Sequence, residues 1–413
     1  MDLIRIGVIG LGCRGRSLLK TSLCCDGVKV IAVCDNYQDR VVMALDIAKE
    51  KQSQEVKVYE DYKDLLVDKD VDVVIIASSW DEHIRMAIES MKAGKITAME
   101  VGGAYDIEEC WELVRTYEET KTPIMMLENC CYNKFELLVT ALHRADKLGE
   151  IIHCHGAYRH DLRKEVLGGN VNRHYRLNNY EKRCAENYPT HEIGPIAKLL
   201  DINRGNRMLT ISSFASKAVG LEEFAKSEEN LDKTLIGKKF KQADIVNTVI
   251  TCANGETITL TLNTTLPTYY SREFEVHSTK GLCRQEENLV ALEGDLNLEE
   301  FWDPEKFVLK HINNAENYIE YLPSYWQGIS EEEKELGHGG MDYYMLQNFF
   351  SAVKNNKEMP IDVYDAAAWY SITALSEQSI AMGGQVQAIP DFTRGKWIKR
   401  QRKDVIEFPK IEK

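Results

Sequence analysis

No run of 18 apolar residues occurs in this chain, which removes a membrane-spanning helix from the reading. Proline is scarce, 9 in 413 residues, and glycine numbers only 26, so collagen-like and low-complexity classes are excluded as well. There is no C-x-x-C pair to build a structural zinc site. The 11 cysteines are odd in number, and the adjacent pairs Cys24-Cys25 and Cys130-Cys131 fit a disulfide framework badly. Positive charge is also short: 51 Lys and Arg against 65 Asp and Glu leave −14, which repels phosphate backbones and anionic lipid alike. Asp2 and Arg5 interrupt the start where a secretion signal needs an apolar core. These absences point to a reduced, cytoplasmic protein with neither a nucleic-acid nor a membrane partner.

What is present is an ordinary globular composition, 44% hydrophobic and 28% charged, with length for two or three domains. Residues 3–9 (LIRIGVI) form a β-branched apolar run that ends in glycines, and RSLLKTSL after it has helical spacing. VKVIAVCD, VDVVIIASS, KITAME and PIMMLEN read as further strands, separated by helical stretches such as DEHIRMAIESMKAG and DIEECWELVRTYEET. Near-continuously apolar strands alternating with helices imply a parallel sheet covered on both faces, a doubly wound Rossmann domain over residues 1–133.

From 134 to 413 the texture changes to α+β. ADIVNTVITCANGETITLTLNTTL alternates about Asn254-Gly255, a dipeptide suited to a two-residue type I′ hairpin, so a large open, mainly antiparallel sheet is expected. Residues 342–356 and 363–382 read as amphipathic helices, the second able to pack back on the first domain. The basic run 396–403 (KWIKRQRK) reads as a solvated surface strand.

Gly10, Gly12 and Gly15 satisfy G-x-G-x-x-G at a strand-to-helix junction, the setting in which that motif cradles a dinucleotide pyrophosphate against a helix N-terminus; Cys13 and Arg14 lie within it. Asp35, at the end of the second strand, is placed to accept from adenosine ribose hydroxyls and to repel the extra phosphate of NADP, so NAD is the expected cofactor. Ser78, Trp80 and His83 follow the next strand, on the same carboxyl-terminal edge. Glu100 and Asn129 end later strands and complete the expected cofactor set.

In this order IGVIGLGCRGRS, CDNYQDR, ASSWDEH and MEVGGA resemble the Gfo/Idh/MocA oxidoreductase-like proteins. Within that superfamily, MMLENCCY (125–132), GAYRHDLR (156–163), NYPTHEIGPIAKLLDINRGNR (187–207), YYSREFEVHSTKG (269–281) and GHGGMDYYM (337–345) resemble glycoside hydrolase family 109, whose members are NAD-dependent α-N-acetylgalactosaminidases. Two departures stand out. Where the oxidoreductases carry Glu-Lys-Pro beside the nicotinamide, this chain has Glu100-Val101-Gly102, and Glu192 stands where the hydrolases carry Gly.

The resemblance implies a glycosidase in which a retained NAD oxidises the sugar at C3, the C1 substituent is eliminated, water adds and the hydride returns. By the same resemblance Tyr158, Tyr188, His191 and His338 are catalytic, and Glu128, Arg176 and Tyr270 hold the substrate. Tyr158 is the expected acceptor of the C2 proton and His191 the group near the C3 hydroxyl. A phenol has a reference pKa of about 10, so this role calls for a cation such as Arg159, Arg163 or the cofactor beside Tyr158. Read without the family, Arg176 would form a surface ion pair with Glu181. His153, His155 and His160 lack the spacing of a completed ligand set, and no metal is expected. The alternatives are a net NAD-dependent sugar dehydrogenase and a non-catalytic NAD or sugar sensor. A homo-oligomer formed through the second-domain sheet is a further expectation.

Overall fold

A computed structural model describes residues 3–295 and 302–410. It divides into two compact units, the first made of 1–133, 328–367 and 403–406, the second of 134–327, 368–402 and 407–413. The division falls inside the helix Val363–Ala381.

The first unit is built on six strands, β1 (Ile4–Ile9), β2 (Val28–Cys34), β3 (Lys57–Tyr59), β4 (Val73–Ile76), β5 (Ile96–Met99) and β6 (Ile124–Met126). They pair in the order β3-β2-β1-β4-β5-β6, all parallel, with the reversal of winding beside β1. The expected doubly wound sheet is therefore present. The central strand β4 is closed to solvent from end to end: Val73, Val74, Ile75 and Ile76 have no exposure, and in β1 only Arg5 is part-exposed. That is why they read as unbroken apolar runs, since both faces carry helices. β3 escaped the sequence reading because it is a three-residue edge strand whose Lys57 and Val58 are exposed.

The second unit holds eight strands: β7 (Ile151–Arg159), β8 (Met208–Ala215), β9 (Ile245–Cys252), β10 (Thr257–Asn263), β11 (Glu275–Ser278), β12 (Gly281–Arg284), β13 (Leu289–Leu292) and β14 (Gln387–Ala388). Their order is β13-β12-β11-β7-β10-β9-β8-β14, antiparallel except for β7 with β10. Alternation sorts β7 between two faces: His153 and His155 pair with Thr257 and Thr259 on the open side, while Cys154, Gly156 and Tyr158 are buried on the other. At Gly156 a Cβ would stand 3.1 Å from the Glu192 carbonyl, so the missing side chain lets the helix Thr190–Leu199 settle on the sheet.

Three local expectations need correction. The β9–β10 turn is not type I′, which needs positive φ at both central residues. Gly255 has φ 102 but Asn254 is not left-handed, and the loop spans 253–256, closed by Cys252 N–H to the Glu256 carbonyl at 2.9 Å. The helix Val363–Ala381 is not amphipathic; it is buried on all sides from Val363 to Ser376, with Ala366, Ala367 and Ala368 allowing close approach. The basic run near the end is a 3-10 turn at Lys396–Ile398 followed by irregular backbone, with no strand to pair with. Among the described residues no helix is long and apolar enough to cross a membrane.

Candidate active site

In the first unit the glycine loop is shaped by backbone contact. Gly10 has φ 85, and a Cβ there would meet the Ala77 carbonyl oxygen at 2.6 Å; a Cβ on Gly15 would lie 1.8 Å from the Gly10 carbonyl oxygen. Gly12, which precedes the helix Cys13–Ser22 with no side-chain cap, has no atom nearer than 4.0 Å on its Cβ side. The helix thus starts without a side-chain cap on its first N–H groups. Asp35 closes the loop from the end of β2: its carboxylate accepts from Leu11 N–H at 2.6 Å and Tyr37 N–H at 2.9 Å. Ser78, at the end of β4, buries its Oγ with no hydrogen-bond partner. A cradle that a side chain would fill, a helix start with no side-chain cap, an acid at the β2 end and an orphaned hydroxyl together fit NAD.

The flanking residues are more buried than their strand-end positions suggested. Trp80 and His83 have 4% and no exposure, and His83 is pushed down to about 4 by burial, so it is neutral. Where the oxidoreductases place a lysine, Val101 is buried and apolar. Cys13 is exposed at the head of its helix. Arg14 joins Glu100 at 2.9 Å and Asp342 at 2.6 and 3.0 Å, and Asn129 donates to Asp342 at 2.8 Å. His338 completes this cluster, with Nδ1 2.8 Å from Asp342. Glu128 is fully buried and caps the turn Asn129–Tyr132 through Cys130 N–H at 2.9 Å.

The second unit brings Tyr158, Tyr188, His191 and Tyr270 into one aromatic cluster. Tyr158 lies 4.7 Å from Tyr188, 5.6 Å from His191 and 6.2 Å from Tyr270, ring centre to ring centre. Tyr188 and His191 meet edge-on at 4.7 Å because the helix Thr190–Leu199 starts between them. Arg176 sits over the Tyr188 ring at 5.2 Å and within hydrogen-bonding reach of the Tyr158 hydroxyl. Burial raises the Tyr158 pKa, and the Arg176 charge only partly opposes that.

Of the protein's own cations, the one beside Tyr158 is thus neither Arg159 nor Arg163. Arg159 is engaged by Glu273 and Arg163 by Asp161 at 2.6 Å. Arg176 itself is no surface residue: it is 8% exposed and pairs with Glu165 at 3.2 Å, while Glu181 pairs with Lys238. His160 was missed as a partner of the phenol. Its Nδ1 stands 3.1 Å from the Tyr158 hydroxyl, and burial, with Arg176 nearby, lowers its pKa. The signal was available, because residues two apart along an extended segment share a face. His153 and His155 look the other way, bound to Thr257 and Thr259 at 2.8 Å each. Arg272, locked to Glu136 at 2.7 Å, donates to the Tyr270 hydroxyl at 3.1 Å.

One pairing had no sequence signal. Glu192 and Glu186 have 1% and no exposure, and each acts on the ionisation of the other. Burial raises both, and the neighbour's charge adds to the rise at Glu192, so the pair retains a proton.

Residues 132–399 match the model of the glycosyl hydrolase 109 C-terminal domain, and residues 4–127 match the NAD-binding Rossmann fold of the Gfo/Idh/MocA oxidoreductase family. The chain belongs to glycoside hydrolase family 109. It is 36% identical to an alpha-N-acetylgalactosaminidase of Tannerella forsythia, across 97% of this chain and 88% of that one. A family 109 protein of Stenotrophomonas maltophilia is also 36% identical, covering 98% and 92%. Among solved structures, scyllo-inositol dehydrogenase from Lactobacillus casei with bound NAD(H) and scyllo-inositol superposes with a TM-score of 0.64 at 15% identity, over 94% of this chain and 99% of that one. Myo-inositol 2-dehydrogenase from Lactobacillus plantarum gives 0.67 at 17%, over 94% and 100%. At such identities the likeness is one of fold. This family 109 chain is accordingly an NAD-dependent, glycosidase-type enzyme on an oxidoreductase scaffold.

Proposed function

We propose that the protein hydrolyses α-linked N-acetylgalactosaminides, or closely related hexosides, in a redox-neutral cycle, with Tyr158 and its neighbours carrying the proton transfers. The glycine loop and Asp35 would hold NAD, which would supply an acceptor and later a donor for the hydride of sugar C3. A C3 ketone acidifies the C2 hydrogen, so what the chain itself must supply is a base for that proton.

The observation that carries this reading is the Tyr158 hydroxyl set between the Arg176 guanidinium and His160 Nδ1. Burial makes a free phenolate costly, so Tyr158 acts as a base only as its own proton leaves. His160, held neutral by burial and by Arg176, receives that proton while the phenol oxygen takes the one from C2. Arg176 donates to the oxygen throughout and stabilises the charge that develops there. The aglycone then leaves C1, taking the proton held by His160, and water adds to the resulting double bond. His191 accepts the C3 hydroxyl proton as the hydride leaves and gives it back when the hydride returns, Tyr188 holds that hydroxyl, His338 acts on the substrate, and Glu128, Arg176 and Tyr270 orient the ring. Val101 in place of lysine speaks against a net dehydrogenase.

Purified enzyme given an aryl α-N-acetylgalactosaminide with no added NAD should release aglycone continuously without accumulating reduced nicotinamide. In deuterated water the product should carry deuterium at C2. Reduced nicotinamide formed in proportion to turnover would refute the hydrolase cycle; Tyr158→Phe enzyme that still exchanges the C2 position would remove Tyr158 from the base role. The exposed Phe214 and Val249 on the open face of the second sheet support self-association there, which sedimentation velocity checks by loss of the oligomer in a Val249→Lys variant.

A further inference from the structure

His338 occupies a backbone position that residues with a side chain avoid. Its φ is 46, and Gly337, Gly339 and Gly340 around it have φ 96, 67 and 95, so the whole turn is left-handed. For a non-glycine residue this conformation is strained and persists only where neighbours hold it. The neighbour is Asp342, at the head of the helix Met341–Lys354, four residues along the chain and with no exposure. A Cβ on Gly337 would come within 2.5 Å of the Asp342 carboxylate, so the turn is also shaped to let that carboxylate in.

The donors around Asp342 settle its protonation and, through it, the tautomer of the imidazole. Arg14 covers both oxygens at 2.6 and 3.0 Å, and Asn129 adds a third donor at 2.8 Å. Burial alone would favour the neutral acid, but the Arg14 charge and the hydrogen bonds from His338 and Arg14 outweigh it and hold the carboxyl well below its usual range. An ionised carboxylate has no proton to give. The 2.8 Å contact with His338 is therefore donated by Nδ1–H. In the neutral ring this leaves Nε2 bare, on a side chain 56% exposed.

We propose that Asp342 is a positioning residue that fixes His338 as its Nδ1–H tautomer and turns an unprotonated Nε2 outward as an acceptor for a sugar hydroxyl. The sugar hydroxyl rests on the function proposed above; the tautomer does not. Because Arg14 belongs to the glycine loop, the same carboxylate also ties that loop to the histidine turn.

Nitrogen-15 NMR of histidine-labelled protein, at a pH above the imidazole titration, reads the tautomer directly, with the His338 signals identified by their disappearance in His338→Gln. The Nδ1–H pattern is expected in the unsubstituted protein, so the test does not depend on a variant that folds. A predominant Nε2–H pattern overturns the proposal. Asp342→Asn, whose amide is able to donate to Nδ1, should shift His338 toward Nε2–H, and an unchanged pattern in that variant overturns the assignment to Asp342. If the tautomer is as stated but His338→Gln still cleaves glycosides at the original rate, the sugar hydroxyl is the part that fails, and with it the role given to His338 in the proposed reaction.

Discussion

Replacing Glu192 by Gln should make the protein more stable in alkali than the natural chain. Glu186 and Glu192 have almost no exposure, and each acts on the ionisation of the other. The main chain of Glu186 is fixed, its N–H donating to Ser376 Oγ at 2.8 Å and its carbonyl accepting from Thr373 Oγ1 at 2.7 Å. Separating the acids would therefore require moving the backbone. Tyr180 and Glu273 are the other titratable groups acting on the pair, and Glu273 is already engaged by Arg159 and His155.

Both carboxyls are raised in the folded state, chiefly by burial. The folded chain consequently binds more protons than the unfolded one between the ordinary glutamate value and the raised one. The stability tied to that proton is fully present below the ordinary value and is lost as pH rises through the raised one. To keep a proton near neutrality the pair must bind it at least about a hundredfold more tightly than an exposed glutamate, a difference of about 3 kcal/mol. Gln at 192 offers Glu186 a permanent donor and removes the second charge. Urea denaturation of both proteins at about pH 5.5 and about pH 9 should show the natural chain losing roughly 1–2 kcal/mol more than the variant over that range, the rest of the difference being already lost below pH 5.5. Parallel losses would mean that the carboxyls do not share a proton, and the reasoning would fail.

Three further expectations follow from close contacts. Gly15→Ala gains about 1 kcal/mol of helix propensity but sets a Cβ 1.8 Å from the Gly10 carbonyl oxygen, so the clash wins; the variant should melt lower and purify without NAD, and an unchanged Tm with NAD retained would contradict this. Asp35→Asn keeps an oxygen for Leu11 N–H while removing the negative charge, so preference for NAD over NADP, read by calorimetry, should fall about tenfold or more. Glu136→Gln strands the buried Arg272 charge and should cost about 3–5 kcal/mol in urea denaturation, whereas Glu136→Leu with Arg272→Met should recover most of it.

The dinucleotide domain was legible because its cause is local. A parallel strand buried on both faces must be apolar throughout, and a backbone that touches its neighbour must be glycine, so the run 3–9 and Gly10 and Gly15 announce themselves. The exposed β3 had no such signature. The long helix Val363–Ala381 lost the polar face expected of it because it is enclosed all round, and a stripe read from composition assumes one wet side.

Site residues divide along the same line. Tyr188 and His191 stand three positions apart at a helix start, and the chain brings them together by local geometry alone. What no local pattern carries is protonation, because it depends on which charges packing delivers and how much water it removes. Arg176 reads as a surface cation five residues before Glu181, yet it ends buried against Tyr158 and Tyr188. Arg14 and Asp342 lie 328 residues apart, and only the fold makes the one hold the other ionised. The chemistry follows from those encounters. A neutral histidine beside a buried phenol is a proton acceptor, whereas the same two residues exposed to water would be a tyrosine and a histidine with no claim on each other.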